Sequence, residues 1–136
     1  MIGILGQKAL EQHETGITLV QAAAINEYGS DDGHIPERPA HRTAFDKHRK
    51  GLSRRLAGSV RLIGQGTPVQ QQMDKLGWWY VGQLKNEIQM WNDPENAKAT
   101  VKKKGFNNPL IHHGRTVNAI HHVLRKAGSG GAQIRK

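Results

Sequence analysis

Residues 107–122, NNPLIHHGRTVNAIHH, hold four of the chain's eight histidines as the pairs His112-His113 and His121-His122. Histidine can ligate a metal, move a proton or change charge near neutral pH. A metal site needs side chains that converge. His112 and His113 are neighbours in a turn and diverge. His121 and His122 are neighbours on a predicted strand and point to opposite faces. Neither pair has the i, i+4 helical spacing that brings two imidazoles to one zinc. No acid follows Glu95, so a local carboxylate partner is missing. The pairs are expected to act by packing and contact.

Other chemistry is no better supported. The chain has no cysteine, hence no disulfide, no thiolate nucleophile and no thiolate zinc site. It has no Gly-x-Ser-x-Gly elbow, no phosphate-binding loop and no dinucleotide fingerprint. Asp31-Asp32 and Glu11/Glu14 are paired carboxylates that turn and surface positions explain. No catalytic, cofactor-binding or metal-ligating residue is expected.

A length of 136 residues suits one domain with a modest core. No apolar run approaches the roughly 20 residues that span a bilayer, and "MIGILGQKALEQHE" lacks the basic start and apolar stretch of a signal peptide. The net charge of +9 is uneven. Residues 1–33 carry one Lys and five acids, a net of −4; residues 34–66 carry eight basic residues and two acids, a net of +6. Residues 101–136 carry eight basic residues and no acid. Such a pattern suits nucleic acid, or contact between the acidic end of one subunit and a basic face of the next.

The elements that position these residues are legible in outline. Ile2–Leu5 reads as a short strand. TLVQAAAINEYG reads as a helix with a Thr18/Gln21 capping box and Gly29 at its end. The segment SDDGHIPERPAHR is broken by Gly33, Pro36 and Pro39. A second helix spans about 43–63, with Phe45, Leu52, Leu56 and Ile63 on one stripe. Lys47, Lys50, Arg54 and Arg61 lie opposite, with Gly51 and Gly58. Those glycines are either tolerated surface positions or a groove where a neighbouring backbone comes close. A third helix starts at Thr67-Pro68, completes a capping box at Gln70, and ends at Asn92-Asp93-Pro94. Its expected buried stripe is Val69, Met73, Leu76, Tyr80, Leu84 and Trp91. Trp78 projects from the far side, as an interface anchor or as packing beneath a loop. Residues 93–109 form a loop with a helical turn near 97–101. A turn after Gly114 leads into a strand near 119–126, with Ile120, His122 and Leu124 on one face. The expected fold is α+β: a small antiparallel sheet packed against two long helices plus a shorter N-terminal helix. Residues 1–126 form the domain and residues 127–136 a flexible basic tail.

Three stretches, in order, resemble one family. AAAINEYGSDDGHIPERPAHRTAF is similar to the Asn-Glu-aromatic-Gly and Ile-Pro-x-Arg-Pro-x-x-Arg segments of phage virion-morphogenesis proteins, the tail-completion or neck proteins of tailed phages. LGWWYVGQLKNEIQMWNDP resembles that family's long middle helix with its proline exit. NAKATVKKKGFNNPLIHHGRTVNAIHHVLRK is similar to its Thr-[Ile/Val]-x-x-Lys-Gly segment and its Pro-Leu-Ile-Asp-Thr-Gly turn. The chain departs where His112-His113 replaces Asp-Thr and Ala40 replaces an aromatic residue.

The resemblance implies a non-enzymatic structural protein of the virion. It would form a homo-oligomeric ring, a hexamer by resemblance, at the head–tail junction, assembled in the host cytoplasm. Its partners would be copies of itself, head-connector and tail-tube proteins, with genome DNA passing through the lumen without sequence-specific contact and no membrane involved. The alternative is a basic DNA-binding accessory protein. Candidate interface residues are His34, Ile35, Pro36, Arg38, Pro39 and Arg42 of the proline-stiffened loop, Trp78, the run Lys102, Lys103 and Lys104, and His112 with His113.

Overall fold

The computed structural model describes residues 1–12, 16–105, 107–110 and 114–125. The expected C-terminal tail, 127–136, lies outside them.

Strand β1 (Ile2–Ile4) is followed by a 3-10 turn (Gly6–Leu10) and helix α1 (Leu19–Tyr28). The capping box forms as the sequence suggests. Thr18 Oγ1 accepts from the Gln21 N–H at 3.2 Å, and Gln21 Oε1 accepts from the Thr18 N–H at 2.9 Å. Leu19, the first helical residue, is fully buried. Gly29 closes the helix at φ +79°, and a Cβ there would stand 3.1 Å from the Ile35 carbonyl oxygen.

Helices α2 (Ala40–Gly64) and α3 (Val69–Met90) form a long hairpin around a short turn with Gly66 at φ +97°. Thr67 does not cap α3. Pro68 occupies that position without a side-chain hydrogen bond, and the Gln70 amide reaches Asp74 at 3.4 Å instead. After the cis Asp93–Pro94 peptide come α4 (Lys98–Lys104), closed by Gly105 in the left-handed conformation, and α5 (Arg115–Ala119). Strand β2 (Ile120–His122) pairs antiparallel with β1 in the register Ile2↔His122, Gly3↔His121, Ile4↔Ile120. The Met1 ammonium and carbonyl exchange bonds with Val123 at 2.8 and 2.9 Å and extend the ladder. The last strand is thus three residues long, against the eight expected. The α+β class and layering are as expected: a small antiparallel sheet on two long helices, with a shorter helix before them.

Helix α2 buries a different face from the one its largest apolar residues suggest, and α3 buries a wider arc that includes Leu84 of the expected stripe. On α2 the buried residues are Ala40, Ala44 and Ser59, while Phe45 is 51% and Leu56 43% exposed. Small residues let α3 approach closely, so the bulky stripe is turned onto the flank. On α3 the buried set is Gln72, Gly77, Val81, Leu84 and Ile88, and Val69 is exposed near the hairpin turn. This helix has two neighbours, α2 on one side and the sheet on the other. Its covered arc therefore spans roughly half the circumference at 100° per residue. One core unites Ala40, Ala44, Val81, Leu84, Ile88, Val117 and Ile120, with Ile4, Trp91 and Leu110 packed at its edge. Among the described residues no helix is long and apolar enough to cross a membrane.

Candidate assembly surface

The segment joining α1 to α2 is densely hydrogen-bonded. Helix α2 begins after Pro39, which offers no side-chain cap, so its first N–H groups need acceptors from elsewhere. Glu27, buried in the last turn of α1, supplies them. Its Oε2 accepts from the His41 N–H at 2.9 Å and its Oε1 from the Arg42 N–H at 3.0 Å. The His41 ring stands 3.2 Å from Oε2, and Arg42 Nε donates to Oε1 at 3.2 Å. Burial pushes the Glu27 carboxyl pKa up, but the two helix N–H groups and His41 outweigh it, and the net direction is down. The carboxylate–imidazole pair has the form of a general base. Yet both oxygens are held by backbone donors, so this carboxylate acts as a cap from the neighbouring helix.

Arg42 extends the latch. It donates to the Glu27 carbonyl oxygen at 2.8 Å, pairs with Glu37, and lies over the Tyr28 ring at 5.1 Å. Arg38 is 6% exposed. Its N–H reaches the Asn26 carbonyl oxygen at 2.7 Å, and its guanidinium donates to the carbonyls of Pro94 and Glu95 at 3.0 and 3.2 Å. Burial lowers its pKa from the usual arginine range. The loop between folds back on itself: Ser30 N–H meets the Ile35 carbonyl at 2.9 Å, and Ile35 N–H meets Ser30 Oγ at 2.8 Å. It is therefore a compact turn closed on its own backbone. His34, Ile35 and Pro36 are exposed at its tip, while Pro39 is half-buried.

Beside the latch an open groove of about 510 Å³ runs between α1 and α2, with Ala23, Ala24, Tyr28 and Phe45 on its apolar wall and Arg42 and Asp46 at its rim. Val20, 41% exposed, continues the apolar face along α1.

A second cluster lies where β2 meets α3. His122 of β2 presses on α3 where Gly77 leaves space. Its Nε2 meets Asp74 Oδ1 at 2.9 Å, and Trp78 stacks edge-on at 4.8 Å between ring centroids. Its Nδ1 is buried without a partner. Asp74 supplies the carboxylate that the C-terminal third of the sequence lacks. Trp78 stays 62% exposed. Its neighbour Trp79 faces α2, with Arg55 over its ring at 4.5 Å and Gly51 against its edge. Gly51 thus makes room for a side chain, not for a backbone, and Gly58 faces open space.

Protein-family models, curated proteins and solved structures were all compared with this chain, and none matches.

The candidate interface residues therefore divide by placement. His34, Ile35, Pro36, Trp78, Lys102 and Lys103 are exposed. Arg42 is exposed but engaged in the latch, and Arg38 is buried as a structural tie. His112, His113 and the Lys104 side chain lie outside the described residues. Among those described, no group of three or more His, Asp or Glu is placed to hold a metal ion. Sequence reasoning overlooked Glu27 as a cap because it lies across two prolines from the helix it serves. It overlooked the groove wall although Val20, Ala24 and Tyr28 repeat at i, i+4 and i+8, a signal of a second apolar face on α1.

Proposed function

We propose that this chain is a structural component of a tailed-phage virion, forming a homo-oligomeric ring at the head–tail neck that completes the tail top and meets the head connector. The observation that carries the assembly part is the apolar balance of the lone subunit. Thirteen large hydrophobic side chains are exposed among the described residues. Only six beyond alanine are buried: Leu19, Val81, Leu84, Ile88, Val117 and Ile120. Single exposed apolar residues are ordinary, but a contiguous patch marks an interface. Here Tyr28 and Phe45 line one groove with Ala23 and Ala24. The virion part rests on the ordered resemblance of three stretches to phage neck proteins. The structure adds a physical reason for the first of them: Glu27 pairs with Arg42 and caps the start of α2, Gly29 closes α1, and Arg38 ties the segment to the carbonyls of residues 94 and 95. That gives the motif a fold-defining role in this chain.

The test is electron microscopy of virions produced with and without the protein, paired with native mass spectrometry of the purified chain. Detached heads and tails in its absence, and a closed oligomer in solution or on tails, are expected. Normal joined particles without the protein would overturn the reading.

A further inference from the structure

The outer face of α2 carries a charge that the rest of the chain does not neutralise. From residue 47 to residue 73 there are six basic side chains and no acid. Lys47 pairs with Glu87 of α3 at 2.9 Å, and Arg55 lies over Trp79. Arg49, Lys50, Arg54 and Arg61 remain, all exposed, with no carboxylate within 4 Å among the described residues. Arg49 points about 100° away from Lys50, which leaves the other three on one face. At 100° per residue Lys50, Arg54 and Arg61 fall within about 40° of one another, on a line roughly 16 Å long. Ser53, Ala57 and Gly58 lie beside that line and are also exposed, so nothing bulky keeps a broad partner from the cations. Like charges four apart weaken a helix by a few tenths of a kcal/mol, as Lys50 and Arg54 do here.

The chain's own acids do not match this line. Of the five acids in residues 1–33, Glu27 is buried as the α2 cap and Asp32 is held by Ser30 and His34. Glu37 and Asp74 are engaged by Arg42 and His122. A second copy thus offers scattered carboxylates, whereas duplex DNA of the same length carries on the order of ten phosphate charges. No aromatic residue stands on the line to stack unpaired bases, as a single-strand site would require.

We infer that the Lys50–Arg54–Arg61 face of α2 is a sequence-independent site for the phosphate backbone of double-stranded DNA. This goes beyond the neck reading and does not depend on it, because the free subunit carries the whole face.

The probe is fluorescence anisotropy of the full chain with two labelled 25-base-pair duplexes of unrelated sequence. Both duplexes bind equally. With three phosphate contacts the affinity falls about 40-fold between 50 and 200 mM salt. The K50Q/R54Q/R61Q variant keeps the wild-type circular dichroism and melting curve, loses at least tenfold in affinity at 50 mM salt, and shows a flatter salt slope. A K102Q/K103Q variant binds as wild type. Absence of wild-type binding, unchanged binding by the triple variant, loss centred on Lys102 and Lys103, tighter binding of single strands, or equal competition by polyglutamate would each overturn the assignment. Native mass spectrometry of the same samples reports ring formation separately.

Discussion

Replacing Gly77 by alanine ought to destabilise the fold, although the same change in a helix ordinarily helps. Alanine is favoured over glycine by about 1 kcal/mol in a helix interior. At Gly77, however, the new Cβ would lie 2.5 Å from His122 Cδ2 and 2.6 Å from its Cγ. Carbon atoms prefer 3.5–4.0 Å, so the ring must retreat by roughly 1 Å. That retreat stretches the 2.9 Å bond from Nε2 to Asp74 beyond hydrogen-bond range and leaves both ring nitrogens unpaired. Overpacking costs about 1–3 kcal/mol and the lost buried bond about 1–3 kcal/mol. Against the helix gain, the net is about 1–5 kcal/mol of lost stability. For a chain of this size each kcal/mol moves Tm by roughly 3–5 °C.

Gly82, on the same helix, is the internal control. It is exposed, and a Cβ there meets nothing within 4 Å. Gly82→Ala should therefore raise stability by about 0.5–1 kcal/mol. Thermal and urea unfolding followed by circular dichroism reads both. A double variant, Gly77→Ala with His122→Ala, removes the ring that the new methyl strikes, so its loss should be smaller than the sum of the two single losses. A Gly77→Ala protein melting at or above wild type, or strictly additive losses in the cycle, would show that the His122 slot is not built as described.

Three further outcomes follow from the latch and the groove. Glu27→Gln keeps the shape but sets an amide donor against a helix N–H, and should cost about 2 kcal/mol in urea unfolding. Because the Glu27 carboxyl titrates lower folded than unfolded, its contribution is complete above about pH 4.3 and fades as pH falls through the folded value. Wild-type stability should therefore drop across that acid range and the Glu27→Gln profile should be flatter; parallel profiles would argue against the cap. Arg38→Ala removes two bonds to the Pro94 and Glu95 carbonyls and should lower stability by about 1–3 kcal/mol, with increased proteolysis around residue 94; a melting point equal to wild type contradicts that role. The double change Val20→Ser and Phe45→Ser should leave the monomer within about 0.5 kcal/mol per site while shifting the oligomer towards free subunits in native mass spectrometry. An unchanged oligomer would move the interface elsewhere.

The end signals of α1 were legible because they are local chemistry, whereas the box expected at Thr67 and Gln70 is absent from α3. Thr18, Gln21 and Gly29 act within one or two turns of one another, and the structure places each as its residue type dictates. The helical turn expected near 97–101, found as α4, and the helical turn after Gly114 fall in the same class. What the sequence concealed is contact between distant segments: Glu27 with the start of α2, Arg38 with residue 94, Asp74 with His122. None of these pairs has a spacing that marks it.

The buried face of α2 was misread for a different reason. Periodicity finds the stripe with the largest apolar residues and assumes that the chain's own core covers it. On α2 the stripe of Phe45, Leu52, Leu56 and Ile63 is real, but α3 packs on Ala44, Gly51 and Ser59 instead. Close helix approach needs small side chains at the contact, and Ala44, Gly51 and Ser59 of α2 provide them. Its large ones are left half-covered or exposed. An apolar period that its own fold does not use disfavours an isolated monomer, since each exposed Phe or Leu keeps roughly 25 cal/mol per Å² of apolar area from being gained by burial. A neighbouring subunit docking along the groove would recover it. The mismatch between sequence pattern and intramolecular packing thus points to where the next subunit in the proposed ring would sit.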